Sequence, residues 1–207
     1  MRISTKHRLI PSLFLAFVLV LFPRQVAARG AVDLPALETF IEQVQNGEAD
    51  VLRGVYVPDV LASPVLQQPE SSPAYVSSND NTLTQFGLAS HYGSTGLLAH
   101  NYLAGADFFL VEQRQVLYLV YGDGRVETFT VTGLKRFRAL EPENTHSHFI
   151  DLETGAYLSA AKLFFKIYNQ PGKVILQTCI QANGEPSWGR YFLIAEPVPA
   201  DDLDPAP

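Results

Sequence analysis

Cysteine is almost missing from this chain of 207 residues: Cys179 is the single one. One thiol excludes an internal disulfide, so the fold has to be held by its core. His146 and His148 could share a metal ion, but no Cys, Asp or Glu completes a recognisable zinc spacing around them, so no metal and no cofactor is expected. Internal repeats are absent. So is a glycine-rich phosphate loop, because Gly122-Asp123-Gly124 reads as a turn with no helix after it. Basic residues are few. Of the 15 Lys and Arg, four (Arg2, Lys6, Arg8 and Arg24) fall in the first 28 residues, where there is no acid; the remainder carries 11 against 21 Asp and Glu. A surface that acidic repels phosphate backbones and anionic lipid, so no nucleic-acid partner is expected. Long apolar runs are also lacking. Only Leu9–Phe22 approaches one, and it is shorter than the roughly 20 residues of a membrane span.

What is present begins with that same run. A basic start, an apolar stretch and the small residues Val26-Ala27-Ala28 predict a signal peptide over residues 1–28, or an N-terminal anchor if it is retained. The protein is then extracytoplasmic, secreted or held at the outer face of the cytoplasmic membrane, with no other membrane contact. The remaining length suits one domain with a full core. Residues 29–50 hold an amphipathic helix, Asp33–Asn46, with Asp33 as cap, Pro35 in the first turn and Gly47 as stop. Residues 51–198 form the domain, and residues 199–207 an acidic, proline-rich tail.

Within the domain, Leu52–Gln68 mixes short β-type runs with Pro58 and Pro64, which suggest edge strands or bends. Residues 68–81 are loop, and Thr82–Ser90 fits either a short strand or a helical turn. Phe108–Val111, Gln115–Tyr121 and Arg125–Thr132 read as strands, the last two joined by Asp123-Gly124, a favoured hairpin turn. Lys135–Leu140 is a further strand-like piece. Leu140–Gln170 is a long connection that contains a helix over Ser159–Tyr168. Lys173–Ile180 and Tyr191–Ala195 are apolar, β-branched runs around the turn-rich connector Gln181–Gly189, which predicts an antiparallel hairpin. About eight strands and two strong helices indicate an all-β barrel or sandwich with helical decoration.

The hairpin sets Cys179 at the end of one strand beside Arg190 at the start of the next. A thiol and a guanidinium on one rim suit a covalent acyl intermediate formed beside a fixed positive charge. An unpaired thiol in an exported chain is otherwise buried and inert, or intermolecular. His100 follows the small apolar run Gly96-Leu97-Leu98-Ala99, and histidine is the natural general acid or base near neutral pH. Cys179, His100 and Arg190 together supply a nucleophile, a proton carrier and an oxyanion donor without a carboxylate.

This trio, in this order, resembles the sortase family, the cysteine transpeptidases of bacterial cell surfaces. Sortases carry a His at the end of an apolar strand, a Cys closing a Thr-Leu-x-Thr-Cys strand, and an Arg opening the next. Here these are Leu98-Ala99-His100-Asn101, Ile175-Leu176-Gln177-Thr178-Cys179 and Arg190, with Ile175 where the family usually has Thr. The resemblance covers roughly Leu52 to Pro197. It implies an eight-stranded sortase β-barrel. It also implies catalytic roles for His100, Cys179 and Arg190, and a substrate groove lined by Ala99, Asn101 and Thr178, with the Leu140–Gln170 connection as one wall. The implied partners are a peptide sorting signal resembling Leu-Pro-x-Thr-Gly and an amine acceptor or water. A non-catalytic module that binds peptides or surface proteins on the same barrel is the other reading.

Overall fold

Residues 34–199 are described by the structure, a computed structural model. The export segment expected over residues 1–28, the Asp33 cap and the tail from residue 200 onward lie outside the described residues. The strands are β1 Leu52–Val57, β2 Leu61–Gln67, β3 Leu83–Phe86, β4 Thr95–Leu98, β5 Val116–Tyr121, β6 Val126–Ala139, β7 Phe149–Asp151, β8 Tyr157–Leu158, β9 Val174–Ala182 and β10 Glu185–Pro197. Eight of these follow one another around a ring, β1-β2-β3-β4-β9-β10-β6-β5 and back to β1. The pairing of β6 with β10 closes it, so the expected eight-stranded barrel is the fold found. Closure removes the open sheet edges that would otherwise invite pairing with other chains. The short β7–β8 ribbon continues outward from the far end of β6.

Only β2–β3 and β4–β9 run parallel. The second of these pairings brings the stretch before His100 alongside the strand that carries Cys179. The continuous apolar pattern of β9 has a direct cause: both of its faces are covered. Val174 and Leu176 point into the barrel with Val55, Leu97, Phe108, Leu117, Tyr191 and Leu193. Ile175, one residue on, points outward into a second core with Phe137, Phe149, Leu163, Ile167, Tyr168, Phe192 and Ile194. That outer core is roofed by helix α3, Ala160–Tyr168, whose first turn is capped by Ser159, its hydroxyl oxygen accepting from the Lys162 N–H at 3.3 Å.

Helix α1, Leu37–Val44, lies on the outside of β1 as its apolar stripe predicts. Phe40 seats itself over Gly54, where a Cβ would stand 2.7 Å from the ring, and against the Tyr56 ring at 5.7 Å. The helix is shorter than expected and starts two residues after Pro35, whose carbonyl instead accepts from the Tyr56 hydroxyl. No helix among the described residues is long and apolar enough to cross a membrane.

Four other expectations need correcting. Phe108–Val111 is not a strand. It lies in a 3-10 helix, Ala104–Leu110, and the last residue follows it. Phe108 is wholly buried there as a plug in the barrel interior, so tertiary packing overrides its β propensity. Lys135–Leu140 is no separate piece, because β6 runs unbroken through Gly133 with its ladder to β10 shifted by a bulge at Ile194/Ala195. The Leu140–Gln170 connection holds the two small strands β7 and β8, too short to show a period of two. The connector between β9 and β10 is also shorter than Gln181–Gly189. Its turn is Asn183-Gly184, both residues at positive φ (53° and 80°), so the strands continue to Ala182 and from Glu185. Thr82–Ser90 proves to be both things at once, β3 followed by the one-turn helix α2, Gly87–Ser90.

Candidate active site

Cys179 belongs to the outward row of β9, after Ile175 and Gln177. Its register partner on β10 is Arg190, and paired residues of an antiparallel ladder share a face. On the other side of β9, Leu98 of β4 is level with Gln177. The Ala99 N–H donates to the Gln177 carbonyl at 3.2 Å, which prolongs that pairing past the end of β4. His100 is the next residue, just past the end of β4, and Cys179 lies two residues beyond Gln177 on β9. Cys179 and Arg190 therefore share one row across β9 and β10, and the β4–β9 pairing brings the segment that carries His100 alongside it. All three are half-buried, and the thiol is free.

A bulge holds the ends of this row. The β9–β10 register shifts between Glu185 and Gly189, which turns backbone carbonyls of Pro186 and Ser187 out of the ladder. Pro186 O accepts from Asn101 Nδ2 at 3.1 Å and so ties the His100 segment to β10. Ser187 O accepts from Arg190 Nη1 at 3.0 Å, and so does Gly189 O at the same distance. Two bonds on one nitrogen fix the plane of the guanidinium, and its fork carries further donors. The guanidinium carbon stands 5.9 Å from the centre of the Phe149 ring on β7. The β7–β8 ribbon, within the connection expected to form a wall, is thus the neighbour of Arg190.

Ala99 and Thr178 do not line a groove. Strand alternation turns both inward, where they are 6% and 2% exposed. The Thr178 hydroxyl donates to the Ala99 carbonyl at 2.9 Å, clamping the two chains together one residue before His100 and Cys179. Gly105 completes the clamp: its N–H donates to the His100 carbonyl at 3.0 Å. A Cβ there would lie 2.7 Å from the His100 oxygen, 2.9 Å from the Ala99 oxygen and closer still to the Thr178 hydroxyl, so only glycine fits. Asn101 is half-buried, with its amide committed to Pro186.

Tyr102, Phe149, Gln177 and Gly105 were not singled out from the sequence. Tyr102 stacks on the His100 ring with centroids 5.2 Å apart and planes 19° from parallel. Gln177 lies two positions before Cys179 on its face and accepts from the Tyr168 hydroxyl at 2.6 Å. Burial pushes the Tyr168 phenol far above its ordinary range, so this hydroxyl stays a donor. Farther along β7, Asp151 is 2% exposed. Burial alone would raise its pKa, but N–H groups of Glu153 and Thr154 at 3.0 and 3.2 Å and the Lys166 ammonium at 3.5 Å outweigh it and hold the carboxyl below its ordinary value. Among the described residues no group of three His, Cys, Asp or Glu side chains could hold a metal ion. A cavity of about 530 Å³ lies beyond the row, lined by Val60, Leu61, Asn81, Leu103 and Asp107, and it meets the His100 segment through Tyr102.

No protein-family model matches this sequence, and no curated protein matches it. Solved structures to which it is similar include sortase C1 from Streptococcus suis, at 13% identity over 80% of this chain and 81% of that one with a TM-score of 0.49. They also include sortase A from Listeria monocytogenes, at 14% identity over 72% and 88% with 0.44, and sortase A from Corynebacterium diphtheriae, at 15% over 76% and 65% with 0.45.

Proposed function

We propose that the protein is an exported, sortase-like cysteine transpeptidase or peptidase that cleaves a sorting-signal peptide of the Leu-Pro-x-Thr-Gly kind. The observation that carries this reading is the register pairing of Cys179 with Arg190, supported by the β4–β9 pairing that brings the His100 segment alongside the Cys179 strand. The Cys179 sulfur attacks the carbonyl carbon of the Thr–Gly bond as thiolate, and Arg190 donates to the oxygen on which charge develops. The C–N bond then breaks, His100 gives its proton to the departing amine, and a thioester remains on Cys179. An amine acceptor or water next attacks the thioester carbonyl. His100 takes a proton from it, the C–S bond breaks, and the thiolate is restored beside the protonated His100. All the groups that move protons or electron pairs come from the protein and its substrates, so the step asks for no cofactor. Substrates of this kind, displayed on surface proteins, agree with export through residues 1–28 and with an extracytoplasmic location.

The test is intact-mass analysis of the protein after incubation with a library of sorting-signal-like peptides. The expected result is an acyl adduct on the wild type that is absent from Cys179→Ala. No adduct with any peptide, together with a thiol inert to alkylating reagents, would overturn the enzyme reading and leave a peptide-binding module on the same barrel.

A further inference from the structure

The imidazole of His100 is held by a ring stack. Among the described residues no hydrogen bond reaches its ring nitrogens, so no carboxylate or carbonyl sets its tautomer or its plane. Its ring contact is Tyr102, nearly parallel at 5.2 Å. Tyr102 is 70% exposed, so its ring is free of the core and available to the His100 ring. The backbone around the pair, by contrast, is pinned at four points. Leu103 N and Gly105 N both donate to the His100 carbonyl at 3.0 Å, Asn101 Nδ2 holds Pro186 O, and Thr178 clamps Ala99. A fixed backbone leaves χ1 and χ2 of His100 as the free variables, and the flat face of Tyr102 is what restricts them.

We propose that Tyr102 is the positioning residue for His100, holding the imidazole plane so that its edge, with the nitrogens, faces toward Cys179. The inference rests on the proposed role of His100 and adds to it a residue that touches neither the thiol nor the scissile bond. Stacking needs the ring and not the hydroxyl. An aromatic stack is worth about a half to one and a half kcal/mol beyond area burial, which corresponds to roughly two- to ten-fold in the population of the stacked rotamer.

Two readouts on the full chain test this. In the first, with isotope-labelled histidine, the ring protons of His100 (assigned with His100→Gln) are expected upfield in the wild type, from the Tyr102 ring current. They should stay there in Tyr102→Phe and return to ordinary positions in Tyr102→Ala. In the second, acylation by a reactive peptide is expected to fall about two- to ten-fold in kcat for Tyr102→Ala with KM little changed, and to recover in Tyr102→Phe. The alkylation titre of Cys179 should be the same in all three. Ring protons of His100 that do not move in Tyr102→Ala overturn the proposal, and so does a Phe variant as impaired as the Ala variant. If the wild type acylates with no peptide, the enzyme reading fails by itself, while the resonance shifts still decide whether Tyr102 orients His100.

Discussion

Arg190 and Cys179 are neighbours by register, but what fixes them differs. The thiol is carried by a strand buried on both faces, whereas the guanidinium is aimed by the Ser187 carbonyl, which a bulge has turned out of the ladder, and by that of Gly189, where the ladder resumes. That aim depends on a planar fork. Lysine has three donors but, as a point charge on a flexible stem, no fixed plane in which to hold Ser187 O, Gly189 O and an oxyanion together. Arg190→Ala is therefore expected to lower kcat by about 10²- to 10³-fold, the cost of one oxyanion donor, and Arg190→Lys should recover little of it. Peptide turnover gives the comparison, with the Cys179 titre as control; full recovery by lysine would reduce Arg190 to a mere charge. Gly105 acts on the His100 segment. Gly105→Ala drives a methyl into the Ala99 and His100 carbonyls and the Thr178 hydroxyl, so the clamp opens or the segment shifts. Expected are a loss of about 1–3 kcal/mol in denaturant unfolding and a fall in turnover larger than that of Thr178→Val, which removes only the hydroxyl bond. A Gly105→Ala protein as stable as wild type would contradict the close approach.

At the scale of elements, the β7–β8 ribbon decides how Arg190 is walled. It is short, and its turn is organised by Asp151, whose carboxylate takes two backbone N–H groups and faces Lys166 of α3. Because these groups hold the folded-state pKa of Asp151 below 3.8, its contribution is complete above that value and is lost as pH falls through the lower folded value. Thermal unfolding followed between about pH 6 and pH 2 should show an acid-side decline that Asp151→Asn flattens. An unchanged decline in the variant would assign it to other carboxylates. This ribbon is also where the sequence was hardest to read. Three residues of β7 and two of β8 cannot express an alternation. The Cys179–Arg190 juxtaposition was legible because each strand is long and apolar and a Gly-containing turn joins them. His100 was legible as a residue type at a strand end, but the placing of its segment beside the Cys179 strand depends on the parallel β4–β9 pairing, a contact across some eighty positions that local pattern does not encode. The inward turn of Ala99 and Thr178 follows from strand parity, which the two-sided apolar pattern of β9 concealed.

Residues 34–199 form a barrel with a second core built on part of its outside, and Cys179 and Arg190 lie where that outer layer ends. Two adjacent residues of β9 separate the layers: Leu176 packs only within the barrel interior, Ile175 only beneath α3. Both are fully buried, and truncating either to alanine removes a similar amount of apolar surface, so each is expected to cost about 2–5 kcal/mol. Where the cost appears should differ. Leu176→Ala weakens the closed ring of strands, and amide exchange should rise together in β1, β5, β6, β9 and β10. Ile175→Ala weakens the hold on α3 and, through Phe137, Phe149 and Phe192, on β7. Its exchange should rise first in α3 and the β7–β8 ribbon, with the barrel amides little changed, because the ring of hydrogen bonds closes without them. Hydrogen exchange read by mass spectrometry distinguishes the patterns. A uniform rise in Ile175→Ala would mean that the two cores open as one unit. A local rise would make the outer layer a part that loosens on an intact scaffold, leaving Cys179 and Arg190 in register while the wall beside Arg190 moves. In that case peptide KM should rise in Ile175→Ala and the alkylation titre of Cys179 should not change.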